Sequence, residues 1–510
     1  MQSRRDQVQA HMFVMGRLTS GMLRADPDAP ESPQGRTNRG VVIGLLVAVL
    51  VSAGAFVFGI IKPGGTDTWR TSGNLIVDTD TGSRYLYLDG RLRPVRNYAS
   101  ARLLLGADLA VTKVHTAALS GTQHGSPVGI DGAPDALPTG AGLNSGPWQV
   151  CSGPDTGGGT GSGSSAGAAV TTLAVGASTG TGTPLASGQG LPVVGPDGTD
   201  YLLWQGSRLR LDRAAGAIDA LGYGSTTPRP VSAAFLDALP SGPDLTPPDV
   251  PGRGDTGPAL GGLATRVGQV FQVSVPGGGP QYYLLLKAGL TPLTATGAAL
   301  VLGDPQTGAK AYAGGSAAMV SLGADALKGH LAPTTGSVAT PGLPESPPSA
   351  QRVADGWTAC ARVQPSGSGT RVSVDLVPAD SGGRATQALA PGEASAACLP
   401  VNSVTVRAGG GALVRALGEH GDEVGDTTYL VTDTGVKYQL GTETDQKALG
   451  YADNEVVGLP FMLLSMLPTG PELTGAAASS AGDAALAPAG CGRPDSRRST
   501  SEAGSDVMSN

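Results

Sequence analysis

Two pairs of words organise this chain: Ala220-Leu221-Gly222-Tyr223 with Pro240-Ser241-Gly242-Pro243-Asp244-Leu245, and Ala448-Leu449-Gly450-Tyr451 with Pro468-Thr469-Gly470-Pro471-Glu472-Leu473. In both, sixteen residues separate the first word from the second. Two matched words at one shared spacing mark an internal repeat. A further link joins Asp80-Thr81-Gly82-Ser83-Arg84-Tyr85 to Asp433-Thr434-Gly435-Val436-Lys437-Tyr438. A third unit runs from Val270 to Val275, turns at Pro276-Gly277-Gly278-Gly279-Pro280 and returns over Gln281 to Leu286. Each unit reads as an alternating run, a Gly-containing turn and a second run rich in Tyr and Leu, the pattern of a β-hairpin. In the first unit Asp89-Gly90 supplies another turn, and Ser100 to Leu105 is predicted as a short helix opened by a Ser100 cap.

Four small β-rich units follow from this, over 66–118, 191–250, 262–330 and 421–475. Unequal spacing and strand content exclude a helical solenoid. The segments between them, 119–190 and 331–420, are read as one central domain built from separated pieces of chain. The first contains the Gly/Ser run 152–167, expected to be a flexible loop. The Ala/Gly/Ser-rich end, 476–510, is expected to be disordered.

Val41 to Ile61 reads VVIGLLVAVLVSAGAFVFGII, without a charge. A helix of this length rises roughly 31 Å, enough to cross a bilayer core of about 30 Å. The run exceeds the usual signal-peptide h-region, so a retained anchor is expected. Arg24, Arg36 and Arg39 precede it, with Arg4, Arg5 and Arg17 further out, while Lys62 and Arg70 follow. The excess predicts a cytoplasmic head, 1–40, and an extracytoplasmic body. Within the head, Val8, Met12, Met15 and Met22 form a weak helical stripe, suited to the inner leaflet or to a neighbouring subunit. Residues 26–38 read as a Pro-rich polar linker. The fold class is therefore α+β: a single N-terminal transmembrane helix, then an elongated body of four repeat units around a discontinuous central domain.

Beyond the span stand 28 Lys and Arg against 37 Asp and Glu, a mildly acidic body without the basic footprint that nucleic-acid binding needs. Aromatics are 4% of the chain, so several small cores are expected in place of one large one. The four cysteines, Cys151, Cys360, Cys398 and Cys491, all follow the span, and an even count on an oxidising side suggests disulfides. None are close enough together for a zinc site of the C-x₂₋₄-C kind.

The tempting catalytic reading is an aspartic-type protease, because Asp80-Thr81-Gly82 and Asp433-Thr434-Gly435 are two D-T-G triplets, and such enzymes bring two carboxylates together over one proton. The plainer reading is a pair of hairpin turns. Unit two has Pro196-Asp197-Gly198 in the corresponding place and unit three has Gly277-Gly278-Gly279, so the position is used for its backbone conformation. Gly163-Ser164-Ser165-Ala166-Gly167 matches G-x-S-x-G but sits in a Gly/Ser loop, not on the strand-to-helix turn a nucleophile elbow needs. No G-x-x-x-x-G-K-[ST] or H-E-x-x-H occurs. No catalytic, cofactor-binding or metal-binding residue is assigned from the sequence.

The order and spacing of several words resemble the EccB family, membrane components of the actinobacterial type VII (ESX) secretion system. The words are Tyr85-Leu86-Tyr87 with Gly90-Arg91-Leu92-Arg93-Pro94-Val95, then Asn97, Ser100-Ala101-Arg102-Leu103, Val128 to Pro134, Trp148-Gln149-Val150-Cys151, Gly279-Pro280-Gln281-Tyr282-Tyr283 and Gly435-Val436-Lys437-Tyr438. The Gly/Ser insertion at 152–167, Cys398 and Cys491 depart from it. The resemblance implies four repeat domains around a disulfide-closed central domain. It implies an oligomeric subunit of a membrane core complex, scaffolding export of small helical proteins. Its partners would be an EccC-type ATPase, EccD and a mycosin protease, with no cofactor. ATPase activity has been claimed within the family, and no nucleotide site is identifiable in this sequence. The resemblance also favours pairing Cys151 with Cys360, leaving Cys398 and Cys491 as a second pair. Trp148 and Trp357, each three residues before its cysteine, are expected to cover the bridge.

Overall fold

A computed structural model describes residues 4–24, 33–61, 67–71, 73–143, 146–154, 169–176, 182–274, 277–333, 341–366, 369–379, 394–418 and 421–480. The Gly/Ser loop from 155 on, the G-x-S-x-G match, Cys491 and the end of the chain from 481 lie outside them. The chain divides into two compact units, 1–92 with 111–124, and 93–110 with 125–510.

The first unit begins with the helix Arg4–Arg24, followed by a helix over Pro33–Ile61. The second is long and apolar enough to cross a membrane over Thr37–Phe58, with none of that window buried in protein. It begins at Pro33, eight residues before Val41, so the 26–38 stretch is in part helix and not all linker. Pro33 stands at the first helical position, where its missing N–H costs nothing.

Four sheets share one design. Each is an antiparallel meander of three strands with a fourth strand beside the first, and the second sheet adds a fifth, Ser349–Ala350, parallel to its first strand. The first sheet uses Asn74–Asp78, Arg84–Leu88, Arg91–Pro94 and Ala110–Val114; the second Gln189–Val194, Asp200–Trp204, Ser207–Arg210 and Arg229–Pro230. The third uses Val270–Ser274, Pro280–Leu286, Gly289–Leu293 and Val320–Leu322; the fourth Ala412–Leu417, Glu423–Val431, Lys437–Gln439 and Val456–Pro460. In the last three sheets the fourth strand runs parallel to the first, which requires a crossover. A short helix lies in that crossover in all four: Tyr98–Leu105, Ala217–Ala220, Ala295–Gly303 and Glu443–Ala448.

Local chemistry sets these helices. Asn97, Thr294 and Thr442 each accept a hydrogen bond from the backbone N–H three residues on. The predicted Ser100 cap is thus displaced: Asn97 caps the helix, and buried Ser100 donates its hydroxyl to Asn97 Oδ1 while accepting from Ile130 N. The repeated Ala-Leu-Gly-Tyr words are helix exits. Gly222 and Gly450 take φ of 82° and 91°, and Tyr223 N and Tyr451 N reach back to Ile218 O and Gln446 O. The Pro-Ser-Gly-Pro and Pro-Thr-Gly-Pro words edge the third strands: Arg208 N donates to Pro240 O, and Lys437 N to Pro468 O.

The helices pair. Within the second compact unit, 98–105 packs on 443–448, with Ala99 and Leu103 in one cluster with Leu449 and Tyr451. Helix 217–220 packs on 295–303, with Ala217 and Leu300 sharing a cluster. After each pairing the following segment is tied down alike. Ala99 N donates to Pro134 O and Thr296 N to Glu345 O; Tyr451 Oη donates to Pro138 O and Tyr223 Oη to Pro348 O.

Those segments lead into a six-stranded sheet ordered 403–406, 169–175, 148–154, 357–366, 369–378, 183–184. The order is palindromic: two hairpins meet at 148–154 and 357–366, and each is flanked by a strand from the other piece of chain. The flanks are not alike, since Ser403–Val406 is parallel to its neighbour and Thr183–Pro184 antiparallel. Trp148, Val150, Leu173, Ala361 and Val363 face a core shared with Val193, Phe235, Val414 and Leu463 of the second and fourth units.

Two boundaries move. Ala412–Leu417 is the first strand of the fourth sheet, so a cut at 420/421 splits a hairpin; its long alternation continues into Glu423–Val431. The end of the chain is ordered through a helix at Gly475–Ser479, where an expected disordered tail from 476 would have begun. Thr474 caps this alanine-rich turn by accepting from Ala477 N, and Ala478 is buried beside Ala99 and Leu103.

Candidate functional site: the D-T-G turns and the disulfide seam

The first D-T-G triplet joins the first strand of its sheet to the second. Gly82 takes φ of 75° and its N–H closes the turn on Asp78 O at 2.8 Å. Buried Asp78, which the sequence reading did not single out, is the turn's centre. Its Oδ1 accepts from Asp80 N at 3.0 Å, and its Oδ2 from the hydroxyls of Thr81 and Thr116, both at 2.8 Å. Asp80 Oδ1 meets His115 Nδ1 at 2.9 Å, and Asp80 Oδ2 accepts from Thr116 N at 3.0 Å.

Burial pushes the Asp78 carboxyl up, but the hydrogen bonds from Asp80 N and the two threonines outweigh it and hold it below the usual range. The His115 contact and the Thr116 N–H hold Asp80 low as well, and Asp80 in turn raises His115. Two carboxylates sharing a proton need one of them raised. Asp78 and Asp80 are both depressed, so this pair is held in the ionised form; the dyad suggested by the triplets was Asp80 with Asp433.

The second triplet occupies a different turn. Asp433-Thr434-Gly435 joins the second strand of the fourth sheet to the third, with Gly435 at φ 76°. Its structural counterparts are Asp89-Gly90 and Gln205-Gly206, where Asp89 and Gln205 also take positive φ. The turn corresponding to Asp80 follows Leu417. The sequence match between the triplets is therefore one of turn chemistry, not of position, and the equivalence with Pro196-Asp197-Gly198 and Gly277-Gly278-Gly279 holds for the first triplet only. Asp433 Oδ2 accepts from Gly409 N at 2.7 Å.

The cation after this second turn is buried. Lys437 Nζ donates to Leu464 O at 2.5 Å and Leu467 O at 3.3 Å, and burial brings its pKa down to about 8. Sequence reasoning saw a cation there but not its burial. Among the described residues no group of three or more His, Cys, Asp or Glu is arranged to hold a metal.

Cys151 and Cys360 are joined by a disulfide, and they stand directly opposite each other on the two central strands of the six-stranded sheet. The tryptophans do not cover it. A residue three positions away along a strand points to the other face of the sheet. Trp148 is therefore fully buried in the core, with Trp357 packed against it, while the bridge lies on the opposite face beside Val377. Cys398 is also disulfide-bonded.

A family model described as "Type VII secretion system ESX-1, transport TM domain B" matches residues 1–487. The chain belongs to the EccB family. It resembles "ESX-3 secretion system ATPase EccB3" of Mycolicibacterium smegmatis, 29% identical over 489 residues, covering 92% of this chain and 89% of that one. It also resembles "ESX-1 secretion system ATPase EccB1" of Mycobacterium tuberculosis, 33% identical over 302 residues, covering 58% and 60%. Among solved structures, the "EccB3 dimer from the ESX-3 core complex" matches at 26% identity and a TM-score of 0.60, over 80% of this chain and 99% of that one. A chain of the "intact ESX-5 inner membrane complex" matches at 23% identity and a TM-score of 0.62, over 95% and 96%, a likeness of fold. This EccB-family chain is thus a membrane component of type VII secretion, with, among the described residues, one candidate spanning helix near its N-terminus.

Proposed function

We propose that this protein is a non-catalytic scaffold of a type VII secretion membrane core. Its head, 1–40, is cytoplasmic, and its body, from 62 on, is extracytoplasmic. The observation that carries the reading is the family match from the head through the spanning helix to the last sheet. The Arg-rich flank before the span supports the orientation, and a disulfide in the body suits an oxidising compartment. An EccC-type ATPase, EccD and a mycosin protease are the expected partners, in an assembly with more than one copy of this chain. Cysteine labelling from outside should reach a cysteine placed at Ser349 and spare one placed at Ser32.

The curated relatives' names carry the word ATPase, which keeps an enzymatic reading in play. The non-equivalent places of the two triplets, in first-to-second and second-to-third strand turns, favour the scaffold. Asp80→Asn combined with Asp433→Asn should leave secretion largely intact in the host strain. Complete loss of secretion by a variant that still assembles would return the argument to catalysis.

A further inference from the structure

The second and fourth sheets place a cation at one shared position. Arg208 N donates to Pro240 O and Arg208 O accepts from Gly242 N; Lys437 N donates to Pro468 O and Lys437 O accepts from Gly470 N. Three residues before each of those prolines stand Asp237 and Ser465. In the second sheet the cation has its anion, with Arg208 Nη1 2.8 Å from Asp237 Oδ1. In the fourth, Ser465 replaces the carboxylate and its hydroxyl turns to Met462 O at 2.6 Å. Lys437 is only 7% exposed and reaches two backbone carbonyls at the end of the helix Phe461–Ser465.

From this asymmetry we propose that Lys437 is a proton-dependent latch, which holds residues 461–473 on the fourth sheet more firmly when its amine is neutral than when it is charged. Both forms can donate to Leu464 O and Leu467 O; only the charged one must be desolvated without a counter-ion. Helix 461–465 and the turn 466–469 carry no ionisable side chain. On the neighbouring strand Glu423 and Asp426 are exposed, and burial pushes the Tyr429 phenol up, away from the anionic form. Asp433, in the preceding turn, is engaged by Gly409 N. Burial alone shifts Lys437.

The sign follows from linkage. The latched state has the lower lysine pKa, about 8 against an ordinary 10.5, so the opened state binds protons first and latching strengthens as pH rises from 8 towards 10.5. Pulsed hydrogen exchange on the full chain in detergent, corrected for intrinsic rates, tests it between pH 7 and 9.5. The opening constant of 461–473 should fall by roughly tenfold per pH unit at most above pH 8, while that of 232–245, held by Arg208 and Asp237, stays level. Ser465→Asp, which restores the counter-charge, should flatten the fourth-sheet profile, as should Lys437→Met. Parallel profiles for the two segments in the unaltered protein would overturn the latch, as would a slope that survives in either variant. If Lys437→Met does not fold, Ser465→Asp decides alone.

Discussion

The two helix pairs of the second compact unit occupy corresponding places and are held by different means. Between 217–220 and 295–303 the backbones touch. A Cβ on Gly303 would collide with Ala220 Cβ, and one on Gly216 would stand 2.5 Å from Gly303 O. Between 98–105 and 443–448 the corresponding glycine, Gly106, faces open space. There Arg102 bridges the pair by donating from Nη1 to Leu449 O at 2.6 Å. One pairing is thus a close-packed seam that needs missing side chains, the other a wider seam that needs a long one. The same small fold unit tolerates both, because the common elements are the strands and caps, not the helix-to-helix contact.

Perturbations of this comparison can be ranked. The largest effect is expected where both halves meet, at the bridge. Cys360→Ser opens a link between residues 209 apart and should cost roughly 5 kcal/mol in the chain-entropy picture, read as a lowered denaturation midpoint. Because the bridge joins the two hairpins at their shared border, exchange protection should fall in 148–154 and 357–366 alike. Loss confined to one strand would show the halves to be unequal at the centre.

The next effect separates the seams. Gly303→Ala should destabilise by about 1–3 kcal/mol through overpacking against Ala220. Arg102→Met should cost about 2 kcal/mol by leaving Leu449 O without its charged donor. Each loss should be local, with exchange rising at 217–223 in the first variant and at 443–451 in the second. A common response in both regions would mean that the pairings are not independent.

The smallest effect tests likeness. Tyr223→Phe and Tyr451→Phe each remove one buried hydroxyl donor to a proline carbonyl, at 2.8 and 2.9 Å, and should each cost about 1 kcal/mol. Unequal losses in thermal unfolding would indicate that only one of the two linking segments depends on its tyrosine.

Much of this architecture was legible because it is written in short-range chemistry. The Ala-Leu-Gly-Tyr and Pro-x-Gly-Pro words are a helix exit and a strand edge, both local structures with strict backbone demands, and they mark the same places in the second and fourth sheets. The D-T-G triplets misled for the same reason. A tight turn with a positive-φ glycine has one sequence preference wherever it stands, so the words matched while the turns, first-to-second strand and second-to-third, did not. The Trp-x-x-Cys spacing invited a picture of indole over sulfur that strand periodicity forbids once both residues lie on one strand. Asp78 was not singled out because its burial depends on Thr116, whose hydroxyl reaches it from 38 positions on, although Asp80 N and Thr81 are close neighbours.

By itself the sequence determined the spanning helix, the strand-and-turn units and their caps, because each depends on neighbours within a few residues. Tertiary structure alone decided which helix pairs with which, that Cys151 and Cys360 stand opposite each other while both tryptophans turn to the other face, and that Lys437 is buried where Arg208 keeps an anion. Those outcomes rest on contacts between residues from 27 to 347 positions apart, beyond the reach of the local backbone chemistry that sets turns and caps.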